Sequence, residues 1–325
     1  MAYSGEILSR ARQRLASEKA DRESAYLDRL FTAYAKVPEI KEIDLKLRQS
    51  MTLAAQTVFA AGGDASSAME QVKDANLSLQ KRRRELVEAN FSPDFLDEKP
   101  VCSLCGGAGY IGSAMCSCLE EFCRQEQVKA LGGLTTGTES FGNFRLDYYP
   151  QQVDARFGVS PRTVMEKVLR SCKKYAEDFG TGENLLFIGG TGLGKTFLSA
   201  CVANAVAEKG YSVCYESAGS LFAKLEKNRF DADAESESAA KEFAQCDLLI
   251  IDDLGTEISG NFVTSSLYTL LNDRLLAGKS MLLSTNLNID EIARRYNPQI
   301  ASRLQGNFKN LTFIGDDIRV MKNRG

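Results

Sequence analysis

Residues Gly189-Gly190-Thr191-Gly192-Leu193-Gly194-Lys195-Thr196 have the types and order needed to hold a chain of phosphates. Glycine lets the backbone curl until successive N–H groups face a single anion. Lys195 is long enough to reach β- and γ-phosphate oxygens, and the Thr196 hydroxyl is a ligand for Mg²⁺. An apolar strand-like run, LLFI, precedes the loop, and the helix-like run TFLSACVANAVAEK follows it. Such a helix points its positive end at the same anion. A simple tight turn would not need that setting, so the loop predicts binding of ATP with Mg²⁺.

Further along, Leu248-Leu249-Ile250-Ile251-Asp252-Asp253 reads as a buried strand ending in two carboxylates. Ligands of parallel sheets sit beyond the carboxyl ends of the strands. Asp252 is therefore placed to hold Mg²⁺, and Asp253 to orient or deprotonate an attacking water. Asp253 is a shorter arm than a glutamate would be. A third apolar run ends in Ser284-Thr285-Asn286, whose amide suits a γ-phosphate or the attacking water and equally suits a turn. Arg303 and Arg319 flank the last predicted strand; arginine fits the charge of a phosphoryl transition state and also makes ordinary surface ion pairs.

A separate chemistry is written between Pro100 and Cys123. Cys102-x-x-Cys105 and Cys116-x-Cys118 offer four thiolates with Gly106, Gly107 and Gly109 between them. Four such sulfurs suit tetrahedral Zn²⁺, with Cys123 as an alternative fourth ligand. Buried reduced thiols are the other reading, but a glycine-rich segment has little core in which to bury them. Cys172, Cys201, Cys214 and Cys246 fall in helix and strand patterns and read as packing residues.

The elements that must position these groups follow from periodicity. The fold class is α/β: a P-loop parallel sheet with helices on both faces, preceded by a helical domain and a small cysteine-rich module. Short apolar runs at 184–188, 212–215, 248–251, 280–284 and 311–314 alternate with helical stretches. Ser160-Pro161 reads as an N-cap and first turn of a helix reaching about residue 179. Residues 231–241 are acidic and read as an exposed loop or helix start. Towards the N-terminus, Ala25, Leu27, Leu30, Phe31 and Tyr34 make one apolar stripe, closed at Val37-Pro38. Ile40, Ile43, Leu47, Met51, Ala54 and Val58 make a second, ended by Gly62-Gly63. Met69, Val72, Leu79 and Leu86 make a third, which carries the basic cluster Lys81–Arg84, read as a solvated face. The boundaries expected are 1–95 for the helical domain, 96–130 for the zinc module and 131–325 for the ATPase domain.

Composition narrows the classes. The chain has 325 residues, no histidine, nine cysteines and a formal charge of −3. Absence of histidine excludes a Ser-His-Asp triad and imidazole zinc ligands. The charge gives no global basic footprint for nucleic acid. No apolar run spans a bilayer and no signal peptide is visible, so the expected location is cytoplasmic, without membrane association.

Phe141-Gly142-Asn143-Phe144, GGTGLGKTFLS, LLIIDDLGTE, LLNDRLLAGKSMLLSTNL and SRL…FIGDDIR together resemble an AAA+ ATPase of the DnaC/DnaI-like and IstB-like helicase-loader group, over roughly residues 140–325. The resemblance implies Walker A at Lys195/Thr196, Walker B at Asp252/Asp253, sensor 1 at Asn286, an arginine finger at Arg303 and sensor 2 at Arg319. Gln299 stands where members often carry an arginine, and no helical lid follows Arg319. The family also implies self-association, since a finger acts on a neighbour's ATP, with weak intrinsic hydrolysis raised by assembly. The implied role is loading of a replicative DNA helicase, docked through the N-terminal domain, with single-stranded DNA binding. The alternative is an IstB-like transposase helper that selects target DNA; the long N-terminal region and zinc module favour the loader.

Overall fold

The computed structural model describes residues 3–60, 65–134, 139–230 and 234–322. The chain divides into two compact units, residues 13–116 and residues 1–12 with 117–325.

The first of these units holds α1 (Gly5–Lys36) from Gln13 onward, with α2 (Pro38–Ala60) and α3 (Ala65–Asn90). Pro38 starts α2 at the position where a missing N–H costs nothing. Ala33, Ile40 and Val87 form the core, lined by Tyr34, Val37, Leu86, Phe91 and Phe95. Leu27 and Phe31, read from the sequence as stripe residues, are exposed at 47% and 64%. Ala25 is exposed as well; the buried line runs through Leu30 and Ala33. The basic cluster is exposed at Lys81, Arg82 and Arg84, as expected of a solvated face. Arg82 pairs with Glu39 at 2.9 Å, and Arg83 pairs with Asp44 at 2.7 Å beside the Tyr34 hydroxyl. Half of that face is thus committed to ion pairs between α3 and α2. The side chains of Met51, Ala54, Val58, Met69 and Val72, and Gly62-Gly63, lie outside the described residues. A two-stranded ribbon, β1 (Tyr110–Ile111) with β2 (Ala114–Met115), closes this unit.

The other unit holds α4 (Ser117–Leu134), α5 (Pro161–Glu177) and a five-stranded parallel sheet in the order β4-β5-β6-β3-β7. Its strands are β3 (Leu185–Ile188), β4 (Val213–Ser217), β5 (Leu248–Leu254), β6 (Ser280–Thr285) and β7 (Lys309–Thr312). They are joined or followed by α6 (Lys195–Glu208), α7 (Ala218–Phe230), α8 (Ala234–Gln245), α9 (Asn261–Leu276), α10 (Ile289–Arg295), α11 (Pro298–Asn307) and α12 (Ile318–Lys322). Burial alternates with the strand period. Leu185, Phe187, Leu248, Ile250 and Leu282 pack with α5 and α6, whereas Leu186, Leu249, Ile251, Met281 and Leu283 pack on the opposite face. Covered on both faces, these strands must be apolar throughout, which is why they are continuous runs.

Ser160 caps α5 as expected, accepting a hydrogen bond from the Thr163 N–H. The final strand lies two residues earlier than its apolar run suggested. Lys309 and Asn310 pair with Leu185 and Leu186 although their side chains are exposed, while Phe313 is buried beyond the strand end against Phe187. Main-chain pairing, not hydrophobicity, decides where that strand begins. Buried Asn184 ties the lower edge together, accepting from Met281 N–H and donating to the Asn307 carbonyl.

Candidate nucleotide site and cysteine cluster

Parallel register brings three strand ends side by side. Ile188 pairs with Thr285, Ile251 with Leu283 and Leu254 with Thr285. Gly189, Asp252, Asp253 and Asn286 therefore emerge at one edge of the sheet. The phosphate loop leaves β3 there and turns into α6 at Lys195. Glycine is required at two points. A Cβ on Gly189 would lie 2.5 Å from the Phe313 carbonyl oxygen; one on Gly192, at φ +71°, would lie 1.9 Å from Asp317 Oδ1. From the outside the loop is braced by Tyr149, fully buried, whose hydroxyl donates to the Leu193 carbonyl at 2.9 Å. Thr191 is exposed, and Thr196 sits half-buried in the first turn of α6.

Lys195 is the electrostatic centre. Its ammonium donates to the carbonyls of Gly189 at 2.8 Å and Gly190 at 2.7 Å, and to Asn286 Oδ1 at 2.6 Å. Burial pulls its pKa below the ordinary lysine value, an effect opposed by the charges of Asp253 and Asp252. A cation held by neutral oxygens, at the head of a helix, is a fitting receptor for a polyphosphate.

Asp252 is buried. It accepts from the Tyr215 hydroxyl at 2.9 Å on Oδ2 and makes a short contact with the Ser284 hydroxyl on Oδ1. Asp253 sits at a bulge with φ +55°, an uncommon conformation for any residue but glycine. Its N–H donates to Ser284 Oγ at 2.9 Å, and its carbonyl accepts from Thr256 Oγ1 at 2.8 Å. Burial raises the Asp253 pKa, and the neighbouring Asp252 charge raises it further; Lys195 and Arg319 work against both. Such a carboxyl is a better proton acceptor than an exposed one.

Arg319, on the short α12, brings its charge to bear on both Asp253 and Lys195. The segment before it rests on the loop, since Ile318 N–H donates to the Gly192 carbonyl at 3.0 Å. Arg303 is held elsewhere. It lies on α11 with its guanidinium bonded to Asn272 Oδ1 at 2.6 Å and the Tyr268 hydroxyl at 2.8 Å, 4.3 Å from the Tyr268 ring centre. Gln299 contributes only its carbonyl to that guanidinium, at 3.4 Å. The sequence-predicted residues thus gather into one group apart from Arg303.

Several participants escaped sequence reading. Tyr215, Ser284, Tyr149 and Asp317 reach the site from strands and loops distant in sequence. Ser284 did carry a signal, being a hydroxyl in a fully buried strand, where it needs a partner. Glu257, next to the paired carboxylates, is spoken for: buried, it accepts from Gly255 N–H at 2.9 Å and closely contacts the Tyr296 hydroxyl.

Cys102, Cys105, Cys116 and Cys118 place their sulfurs within 4.8 Å of one another. The Cys102 and Cys116 sulfurs are 3.7 Å apart. A tetrahedron of Zn–S bonds has edges of about 3.8 Å, so the set fits the metal. Gly109 N–H points at Cys105 Sγ at 3.3 Å, and backbone N–H groups of Cys105 and Leu104 pull the Cys102 thiol below its ordinary value. Cys123 is not in the group; it is buried, and burial pushes its thiol up to about 11. Cys172, Cys201, Cys214 and Cys246 are buried, as expected for packing residues.

Residues 152–302 match the family model described as IstB-like ATP binding protein. Over those residues the chain is similar to the IstB-like ATP binding proteins. The matched stretch contains Lys195, Asp252, Asp253 and Asn286, and does not include Arg303, Arg319 or the four-cysteine cluster. The chain is also similar to the replicative helicase loader DnaC of Escherichia coli (strain K12), at 20% identity over 245 residues, covering 74% of this chain and 94% of that protein. It is 30% identical over 192 residues to the phage-like element PBSX protein XkdC of Bacillus subtilis (strain 168), covering 55% and 66% respectively. Among solved structures it is similar to the DnaC helicase loader at 20% identity and TM-score 0.44, covering 54% of this chain and 98% of that one. Among the described residues no helix is long and apolar enough to cross a membrane.

Proposed function

We propose that the chain is an ATP-dependent loader of a replicative DNA helicase, an AAA+ ATPase whose nucleotide state controls assembly during DNA replication. The observation that carries the reading is the separation of Arg303 from an otherwise assembled group. Lys195, Asn286, Asp252, Asp253 and Arg319 converge at one sheet edge, whereas Arg303 is bonded to Asn272 and Tyr268. A site short of its arginine is completed by a second copy. The similarity to DnaC extends over 245 residues, well beyond the family match at 152–302, which favours the loader.

In this reading residues 189–196 wrap the phosphates and Lys195 exchanges its carbonyl partners for β- and γ-phosphate oxygens. Thr196 and Asp252 would hold Mg²⁺, which when bound supplies positive charge to the phosphates. Asp253 takes a proton from the attacking water on its carboxylate, Asn286 orients that water, and Arg319 steadies the γ-phosphate. Arg303 does the same for the neighbouring copy. Cys102, Cys105, Cys116 and Cys118 would hold Zn²⁺ as a structural ion of residues 96–130. Residues 1–95 dock the helicase, residues 131–325 carry the ATPase with its single-stranded DNA contact, and the protein works in the cytoplasm.

Two measurements test this. ATP hydrolysis per subunit should be weak at low protein concentration and rise with concentration or on single-stranded DNA; a high, concentration-independent rate contradicts it. The full chain should capture the host replicative helicase. The family description favours a second reading, a transposase-helper ATPase, and capture of a transposase in place of helicase would install it.

A further inference from the structure

Asp252 is one of the few charged side chains buried in the sheet, at 6% exposure, and it is gripped from both sides. From β4, Tyr215 Oη donates to Oδ2 at 2.9 Å; from β6, Ser284 Oγ contacts Oδ1. Ser284 Oγ also accepts the Asp253 N–H at 2.9 Å. A hydroxyl has a single proton. A carboxylate oxygen only accepts, so Ser284 directs that proton at Asp252 while one of its own lone pairs takes the Asp253 N–H. The chain Asp253 N–H to Ser284 to Asp252 therefore has one direction.

We propose that Tyr215 and Ser284 are positioning residues that aim Asp252 at the divalent cation of the nucleotide, with Ser284 tying that aim to the backbone of Asp253. The inference rests on reading Asp252 as a cation ligand. Two hydroxyls on opposite oxygens fix both side-chain torsions of an aspartate. Each carboxylate oxygen carries two lone pairs, so one remains free on each for a metal. Groups that orient a metal ligand govern affinity almost as strongly as the ligand itself. Location supports a dedicated role. Ser284 is fully buried between Leu283 and Thr285 in a strand where an apolar residue would pack at no polar cost. Tyr215 comes from the flanking strand opposite, so neither hydroxyl is a chance neighbour in sequence.

The test is Mn²⁺ binding to the full chain with a non-hydrolysable ATP analogue, read by loss of the free-ion EPR signal, beside analogue binding in EDTA. Tyr215→Phe and Ser284→Ala each remove one oxygen and keep the shape. Each should weaken Mn²⁺ binding about tenfold while leaving metal-free analogue binding unchanged. Wild-type Mn²⁺ affinity in both variants, with Asp252→Asn unable to bind the ion, overturns the proposal and spares the reading of Asp252. Wild-type Mn²⁺ affinity in Asp252→Asn overturns both. Parallel loss of metal-free analogue binding in both hydroxyl variants also overturns it, since the hydroxyls would then support the site as a whole.

Discussion

The nucleotide site and the cysteine cluster are built in opposite orders. At the nucleotide site the fold comes first: five strands buried on both faces set the register, and that register delivers Gly189, Asp252, Asp253 and Asn286 to one edge. The functional side chains already have protein partners, as Lys195 has in Gly189, Gly190 and Asn286. Around the cysteines the described residues form no comparable core. Gly106, Gly107, Gly109 and Gly112 all take positive φ, and Leu104 is 67% exposed. Four sulfurs within 4.8 Å of one another are the organising feature, so on the reading proposed above the metal makes the fold there.

The largest expected effect breaks the comparison at its weaker end. Stripping the metal with a chelator, or Cys102→Ser, should remove about 10 kcal/mol of local folding energy. Hydrogen exchange should then show residues 102–118 opening, with ATP-analogue binding retained. Loss of analogue binding in step would show that the two regions are not built independently. Next in size, Lys195→Ala should cost about 4 kcal/mol of nucleotide binding, roughly a thousandfold. Calorimetry would see this with the melting temperature preserved, because the sheet stands without the site.

These two regions were unequally legible in the sequence. The phosphate loop, the paired aspartates and the four cysteines are each contiguous or nearly so, and their chemistry needs fixed residue types at fixed spacing. Tyr215 and Ser284 are not, because they meet Asp252 only through strand pairing across β4, β5 and β6. The helical stripe of α1 misled for a related reason. Periodicity shows which residues share a face, and Leu27 and Phe31 do share one, but whether another element covers it is decided elsewhere in the chain. Arg274 was equally invisible: fully buried, it bonds to the carbonyls of Phe243, Cys246 and Ser280 and, among the described residues, to no carboxylate.

Arg274 gives the third prediction, aimed at the sheet itself. Arg274→Met orphans three buried carbonyls and should destabilise the sheet unit by about 3 kcal/mol or more. Denaturant unfolding would report it, and the cysteine segment should be unaffected. The smallest effect concerns Glu242, whose burial, foremost, raises its carboxyl to about 7, with Lys224 opposing. A folded-state pKa above the unfolded one means that the folded form binds the extra proton. Stability contributed by this group is full below about pH 4.5 and is lost as pH rises through about 7. Glu242→Gln should therefore melt later than wild type at pH 8, by about 1 kcal/mol after allowance for its partial exposure. The gap should vanish towards pH 4.5; a gap independent of pH would refute this.

The most direct test of a nucleotide site shared between copies is a mixing experiment with Lys195→Ala and Arg303→Ala chains. Each alone should be nearly inactive in assembly-stimulated hydrolysis, the first for want of nucleotide and the second for want of the arginine. Mixed, Arg303 of one chain can serve the intact phosphate loop of the other, and part of the wild-type activity should return. No recovery across a range of ratios, or full stimulated activity in Arg303→Ala alone, would contradict a site completed by its neighbour.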